Sequence, residues 1–416
     1  MRYHNEVGAA LIIHRAPWLL PISQPPIQDG GLVVQADKIL AIGRFVDLRR
    51  SWPSAERVDH PDTALLPGLI NAHTHLELSY LRQLSQQPSP SSFTSWLARL
   101  LEERSKAAAD DEIITAAARR VLADQQTQGV AAIADISNTG LMSSLADNFS
   151  GRLLGFKEYL GLREDRAAVA LRSLQEEADA QLCTGHAPYS THPTLLRGLK
   201  ARANQLGHVF PIHTAESRAE IELLCTGSGE MRNFLEERGF WDGSLQAMGN
   251  AGGSVKYLHK LGLLDSKTVC VHCVHVSKEE IALLAGTGAK VCLCPGSNRY
   301  LGVGKAPVTS FLEHGILPAL GTDSLTSNPE LSLWREMRLL AEDHPALDPA
   351  DILRMATLGG ATALGLEKQL GSLEAGKKAA YSTIQLNCMP KNILLLHECL
   401  MQTHTLLLKN NVPFTK

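Results

Sequence analysis

The sequence predicts an α/β fold, a (β/α)8 TIM barrel flanked by a small β domain, and three observations carry that prediction. From about residue 65 onward, eight short apolar, β-branched runs alternate with helical patterns, as in a parallel sheet with crossover helices. Nearly every run ends in polar or ionisable residues, which is expected where a barrel builds its site at the C-terminal ends of its strands. The two ends of the chain read instead as short extended stretches, neither with enough strands to be stable alone.

In chain order, residues 1–64 hold stretches such as GGLVVQADKILAIGRF with turn residues between them, and form the first part of the β domain. Residues 65–369 form the barrel, with runs LLPGLINAH, VAAIADIS, GRLLGFKEYL, QLCTGHAPY, HVFPIHTAE, KTVCVHCVH, KVCLCPGSN and ILPALGTDS. The helices between them have legible ends. DDEIITAAARRVLADQQTQG closes on Gly129, THPTLLRGLKARANQLG closes on Gly207, and SKEEIALLAG opens with Ser277 and Glu280 in capping-box spacing. After GSLEAGKK the chain returns to short β-like pieces such as HTLLLKNNVPFTK, so residues 370–416 form the second part of the β domain.

The 416 residues are 44% hydrophobic, enough for a large core, and the formal charge of −3 gives no electrostatic reason to expect nucleic acid or an anionic membrane as partner. A small ligand is the expected partner, and the composition leaves a homo-oligomer open. Most of the eight cysteines lie inside apolar runs, where free cysteine behaves as a small hydrophobe. Cys270/Cys273 and Cys292/Cys294 are spaced as a zinc site could use, but both pairs sit in strand-like segments. The N-terminus lacks the features of a signal peptide and no apolar run is long enough to span a bilayer, so a cytoplasmic location is expected.

The chemistry begins at His73 and His75, which flank Thr74 at the end of the first run. Alternate residues of a strand point to the same side, so both imidazoles can reach one metal ion. His213 ends the fifth strand and Asp323 the eighth, completing three imidazoles and one carboxylate, a set suited to Zn²⁺, with Fe²⁺ or Mn²⁺ as alternatives. Glu216, three residues past His213, would stand beside the metal's water as a proton shuttle. His272, ending the sixth strand, could polarise an electrophile or share the proton. His275 competes with it for that role, because alternation cannot say which of the two faces inward.

With these residues in place, the sequence resembles the amidohydrolase superfamily, in its cytosine deaminase-like aminohydrolase branch. The matching pieces are PGLINAHTHLE, HAPYS, HTAES, HCVH, CPGSNRYLG, LGTDS, and MATLGGATALGL with GSLEAGKK. The resemblance implies a barrel, a β-sandwich made of both termini, and one divalent metal held by His73, His75, His213 and Asp323. It implies that Glu216 and His272, rather than His275, assist the attacking water, with Asp323 helping to orient it, and that an amino-substituted heterocycle is deaminated. Some members bind two metals through a carboxylated lysine on the fourth strand. Here that strand carries His186, and Lys157 lies on the third, so one metal is expected. AAYSTIQL stands where this branch usually shows an aspartate, and the tail beyond it matches weakly.

His186, Glu77 and Glu158 look like the substrate contacts of deaminases acting on adenine-type nucleosides. NAHTHLELS, FKEYLG, HAPYSTHP and SNRYLGVG together most resemble the aminodeoxyfutalosine deaminases of the alternative menaquinone route. These convert a 6-aminopurine nucleoside bearing a carboxyphenyl group to its 6-oxo form, and Arg299 would suit that carboxylate. Two other readings are a related hydrolase acting on guanine, cytosine, a thioether nucleoside or a triazine, and a non-catalytic metal-binding scaffold of the same fold.

Overall fold

The computed structural model describes residues 10–106, 111–243, 250–386 and 390–402. The first five strands, β1 (Leu11–Leu19), β2 (Ile27–Gln35), β3 (Lys38–Arg44), β4 (Glu56–Asp59) and β5 (Thr63–Pro67), precede the barrel. The barrel strands follow as β6 (Leu69–Thr74), β7 (Val130–Ser137), β8 (Arg152–Tyr159), β9 (Leu182–Gly185), β10 (Phe210–Thr214), β11 (Thr268–His272), β12 (Lys290–Leu293) and β13 (Ala319–Leu320). Each of these eight falls on one of the eight runs read from the sequence, with β6 extending one residue past the end of its run. A last strand, β14 (Tyr381–Gln385), follows the barrel.

β6 to β9 and β10 to β13 form two parallel four-stranded sheets in sequence order. They close at two seams. At one, Thr74 and Asp323 make a parallel bridge, with the Thr74 hydroxyl donating to the Asp323 carbonyl at 2.7 Å. At the other, the His213 N–H donates to the His186 carbonyl at 3.0 Å. Closure therefore occurs through residues predicted to line the site. Small and β-branched side chains such as Ile70, Ala72, Ala132, Ala134, Val271 and Cys292 fill the barrel, which leaves the strand ends free to carry chemistry.

The helices end where local chemistry predicts. Pro193–Leu206 stops at Gly207 with φ 75°, and Lys278–Thr287 opens on the complete Ser277/Glu280 capping box. Among the described residues no helix is long and apolar enough to cross a membrane.

Both termini contribute to one six-stranded mixed sheet, ordered β14-β5-β1-β2-β3 with β4 on β1. β14 pairs antiparallel to β5, which itself runs parallel to β1. Past β14 the chain departs from the expected β pattern. Ile393–Gln402 is a helix that buries Leu396 and Leu400, one turn apart, and the HTLLLKNNVPFTK segment lies outside the described residues.

A buried chain of polar rings links β14, β1 and the residue that follows β4. The Tyr381 hydroxyl meets His14 Nε2 at 2.8 Å, and His14 Nδ1 meets His60 Nε2 at 3.0 Å. Burial, with His60 adding to it, lowers the His14 pKa from 6.5 to about 4. Between those values the unfolded chain binds the extra proton, so this stabilisation is complete above about pH 6.5 and is lost as pH falls toward 4. Urea unfolding at pH 7 and pH 5 should show about 2 kcal/mol of acid-side loss from this group, absent in His14→Gln. An equal pH dependence in both proteins would refute the assignment.

Candidate active site

Four side chains converge at the C-terminal mouth of the barrel. His73, on β6, and His75, one residue beyond it, place their Nε2 atoms 3.7 and 3.6 Å from Asp323 Oδ1. His213, on β10, brings its Nε2 to 3.2 Å from that of His75. Each of these two imidazoles is fixed from behind, His75 Nδ1 donating to the Ile136 carbonyl at 3.0 Å and His213 Nδ1 to the His186 carbonyl at 2.7 Å. A carbonyl only accepts, so both Nδ1 atoms carry the hydrogen and the two Nε2 lone pairs face each other.

That arrangement is repulsive unless a cation lies between the rings. His73 supports the same reading, since it is buried and neither ring nitrogen has a hydrogen-bond partner. The separations of 3.2 to 3.7 Å also match the edge of a tetrahedron with metal bonds of about 2.1 Å, roughly 3.4 Å. Burial lowers the His73 pKa to about 4 and holds His213 well below its ordinary value, keeping both neutral as ligands must be. Burial alone would push Asp323 up, but His73, His272 and His75 around it hold it well below the usual carboxylate range. Its Oδ2 accepts from Ser297 Oγ at 2.6 Å and Ser327 Oγ at 2.9 Å, leaving Oδ1 toward the histidines. The residues fit a divalent metal.

Two further groups border the cluster. Glu216 Oε1 lies 3.6 Å from His272 Nε2, and burial, then Asp323 and Glu220, push the Glu216 carboxyl well above its ordinary value. His272 Nδ1 donates to Asn298 Oδ1 at 3.1 Å, which turns Nε2 inward. The backbone is strained at these points, with Ala215, His272, Cys273 and Asp323 all in the left-handed region although none is glycine. Glu220 holds the first of these turns. It accepts from the Ala215 and Glu216 N–H groups, both at 2.9 Å, and from Ser254 Oγ at 2.5 Å.

Above this floor opens a cavity of about 570 Å³ that Glu77, Glu158 and His186 line together with His75, His213, Glu216, His272 and Asp323. Glu158 is buried with Oε1 unpartnered, while its Oε2 accepts from Asn138 Nδ2 at 3.0 Å. His186 Nδ1 pairs with Ser190 Oγ at 2.6 Å. Glu77 Oε2 is already taken by Ser137 Oγ and by the N–H groups of Asn138 and Thr139, so it secures the loop after β7. The upper walls are apolar, with Phe93, Trp96, Leu100, Leu162, Phe234 and Phe240.

Arg299 requires a correction, because it does not reach this cavity. It is exposed and paired with Glu342 at 2.8 Å and Asp343 at 2.9 Å. On the helix Pro295–Leu301, Ser297 and Asn298 face the site, and the next residue turns away by about 100°. The cavity's arginines are Arg104, Arg163, Arg166 and Arg238. His275 lies outside the cavity lining, whereas His272 is part of it. Lys157 turns to Glu177 outside the cluster, and among the described residues the metal-capable groups contain no cysteine. Sequence reading missed Glu220, Ser297, Asn298, Ser327 and the four arginines. The only signal for Ser297 and Asn298 was their place at the end of the seventh run.

Comparison with known proteins agrees with this architecture. The profile of the amidohydrolase family matches residues 64–405. A 5-methylthioadenosine/S-adenosylhomocysteine deaminase of Moorella thermoacetica is 31% identical over 398 residues, covering 90% of this chain and 86% of that protein. The crystal structure of Helicobacter pylori aminofutalosine deaminase superposes with a TM-score of 0.81 at 23% identity, covering 96% of this chain and 97% of the other. A zinc-bound adenosine deaminase from Xanthomonas campestris superposes with a TM-score of 0.76 at 24% identity, covering 93% and 88%.

Proposed function

The chain belongs to the amidohydrolase family and is a hydrolase of non-peptide carbon–nitrogen bonds; from that premise we propose that it removes the 6-amino group of a 5′-substituted adenosine-type nucleoside, with zinc as its metal. One observation carries the reading. A buried carboxyl, Glu216, stands beside His272 and the four ligands at the floor of a cavity whose apolar walls continue beyond the room a purine needs.

His73, His75, His213 and Asp323 would hold the metal, which when bound lowers the pKa of a water toward neutrality. Glu216 accepts a proton from that water at a carboxylate oxygen and delivers it to the purine ring nitrogen beside C6, making C6 electrophilic. Asp323 Oδ1 orients the attacking oxygen, and His272 Nε2, an acceptor because Nδ1 holds the ring hydrogen against Asn298, accepts from the hydroxyl as the tetrahedral adduct forms. The proton delivered by Glu216 stays on that ring nitrogen in the 6-oxo product, and the remaining hydroxyl proton of the adduct, shared with Asp323, passes to the 6-amino group, which leaves as ammonia. Glu158 Oε1 is free to accept from a ribose hydroxyl, and His186 closes the side of the pocket next to it.

Within this class aminodeoxyfutalosine is the favoured substrate, because its carboxyphenyl end pairs an apolar ring with an anion. The wall of Trp96, Phe234 and Phe240 meets the ring, and the exposed Arg166 and Arg238 offer charge to the carboxylate. The likeness to methylthioadenosine and adenosylhomocysteine deaminases favours those thioether nucleosides as a second reading. Ammonia release should be followed with aminodeoxyfutalosine, methylthioadenosine, adenosylhomocysteine, adenosine, guanine, cytosine and a triazine. Aminodeoxyfutalosine should exceed adenosine in kcat/KM by about 10-fold or more, the value of one charge-assisted contact. Turnover confined to guanine, cytosine or the triazine would overturn the proposal.

A further inference from the structure

We propose that Glu336 is a positioning residue that locks the loops after the seventh and eighth barrel strands together and so sets Asp323 and His272 in their working arrangement. Glu336 lies on the helix Leu333–Asp343, is fully buried, and does not line the cavity. Its Oε2 accepts from the Gly296 N–H at 2.6 Å, and its Oε1 accepts from Asn328 Nδ2 at 2.7 Å.

Each partner is the neighbour of a residue that touches the site. Gly296 precedes Ser297, which donates to Asp323 Oδ2, and Asn298, which holds His272. Asn328 follows Ser327, the second donor to Asp323 Oδ2. The same Asn328 Nδ2 also donates to the carbonyl of Thr322 at 2.9 Å, directly before Asp323. One carboxylate thus ties together the supports of a metal ligand and of the histidine opposite Glu216.

The connection needs a carboxylate. Both partners are donors, and neither can reverse its role. Gly296 offers a backbone N–H, and Asn328 is kept from flipping because its Oδ1 accepts from Arg335 while its Nδ2 serves Thr322. An amide at position 336 would set an NH2 group against one of these donors. The approach is also close, since a Cβ on Gly296 would lie 2.5 Å from Glu336 Oε1 and 2.6 Å from Asn328 Nδ2, so only glycine fits there. Such indirect supports of metal ligands typically contribute 10- to 100-fold to metal affinity or activity.

The activity part of the test rests on the deaminase reading, whereas zinc binding is read independently of it. Glu336→Gln, checked for folding by circular dichroism, should bind zinc 10- to 100-fold more weakly in competition with a chromophoric chelator. At saturating zinc its kcat should fall 10- to 100-fold with KM changed less than about threefold. Placed on a Ser297→Ala/Ser327→Ala background, the same substitution should weaken zinc binding by less than it does alone, because the route through the two serines is already cut and only the link from Asn328 to the Thr322 carbonyl remains. Wild-type zinc affinity and kcat in a folded Glu336→Gln protein would overturn the proposal, as would losses that multiply fully on the double-serine background. Should that variant fail to fold, Asn328→Ala severs one arm, and unchanged zinc affinity there would equally overturn it. Absence of ammonia release by the wild type from every nucleoside would remove the deaminase reading and leave the zinc result to decide on Glu336.

Discussion

Glu216→Gln is expected to lower turnover by about 10²- to 10⁴-fold while zinc content stays near that of the wild type. Glutamine keeps the size of the side chain and can still face His272 Nε2, which lies 3.6 Å from Glu216 Oε1, but it cannot take a proton from water. The turn that carries residue 216 is held through backbone N–H groups by Glu220, so the substitution leaves the local fold in place. Elemental analysis and ammonia release on the same preparation check both halves. Near-normal turnover would remove Glu216 from the mechanism, and loss of zinc would make it a ligand.

Asp323→Asn should behave differently, losing zinc and activity together. A neutral amide is a poor ligand for a divalent cation of this hardness, and the three histidines would then share the metal without an anionic partner. The second oxygen matters as well. Ser297 and Ser327 both donate to Asp323 Oδ2, and an asparagine turning its NH2 group toward them would set donor against donor. Zinc occupancy after dialysis should fall well below one per chain, with turnover dropping at least as far. Full occupancy in the asparagine variant would place the metal elsewhere.

The barrel was legible because each buried strand carries a run of β-branched and small residues bounded by helix caps, and the three histidines and the aspartate gathered at its mouth because they stand at or next to the ends of those strands. His73 lies on the strand and His75 one residue past its end, and the approach of both rings to Asp323 Oδ1 agrees with a period of two. His272 and His275 could not be separated that way, and the structure gives the reason. The backbone leaves strand geometry at His272, with φ 72°, and Cys273 follows with φ 48°, so a period of two has no meaning there. Arg299 was misplaced for a related reason. It sits on a helix only seven residues long, whose phase the sequence does not mark, and one step along it separates a residue facing the site from one facing Glu342. Glu336 was invisible because a buried carboxylate that accepts from a backbone N–H and a side-chain amide has no sequence pattern, whereas Glu220 stands three residues after the N-cap Ser217, a spacing that marked a helix start but not a role at the site. The helix Ile393–Gln402 was missed because ILLLHECLMQ is apolar enough to suit a strand, and only the burial of Leu396 and Leu400 against the core decides it.

The most direct test of metal-dependent deamination at this site is ammonia release from a 5′-substituted 6-aminopurine nucleoside, measured before chelation, after chelation, and after zinc is restored. The account predicts one ammonia per 6-oxopurine product, loss of turnover on chelation, and recovery with zinc. Turnover that survives complete removal of metal, or a zinc-loaded protein that releases no ammonia from any 6-aminopurine nucleoside, would contradict it.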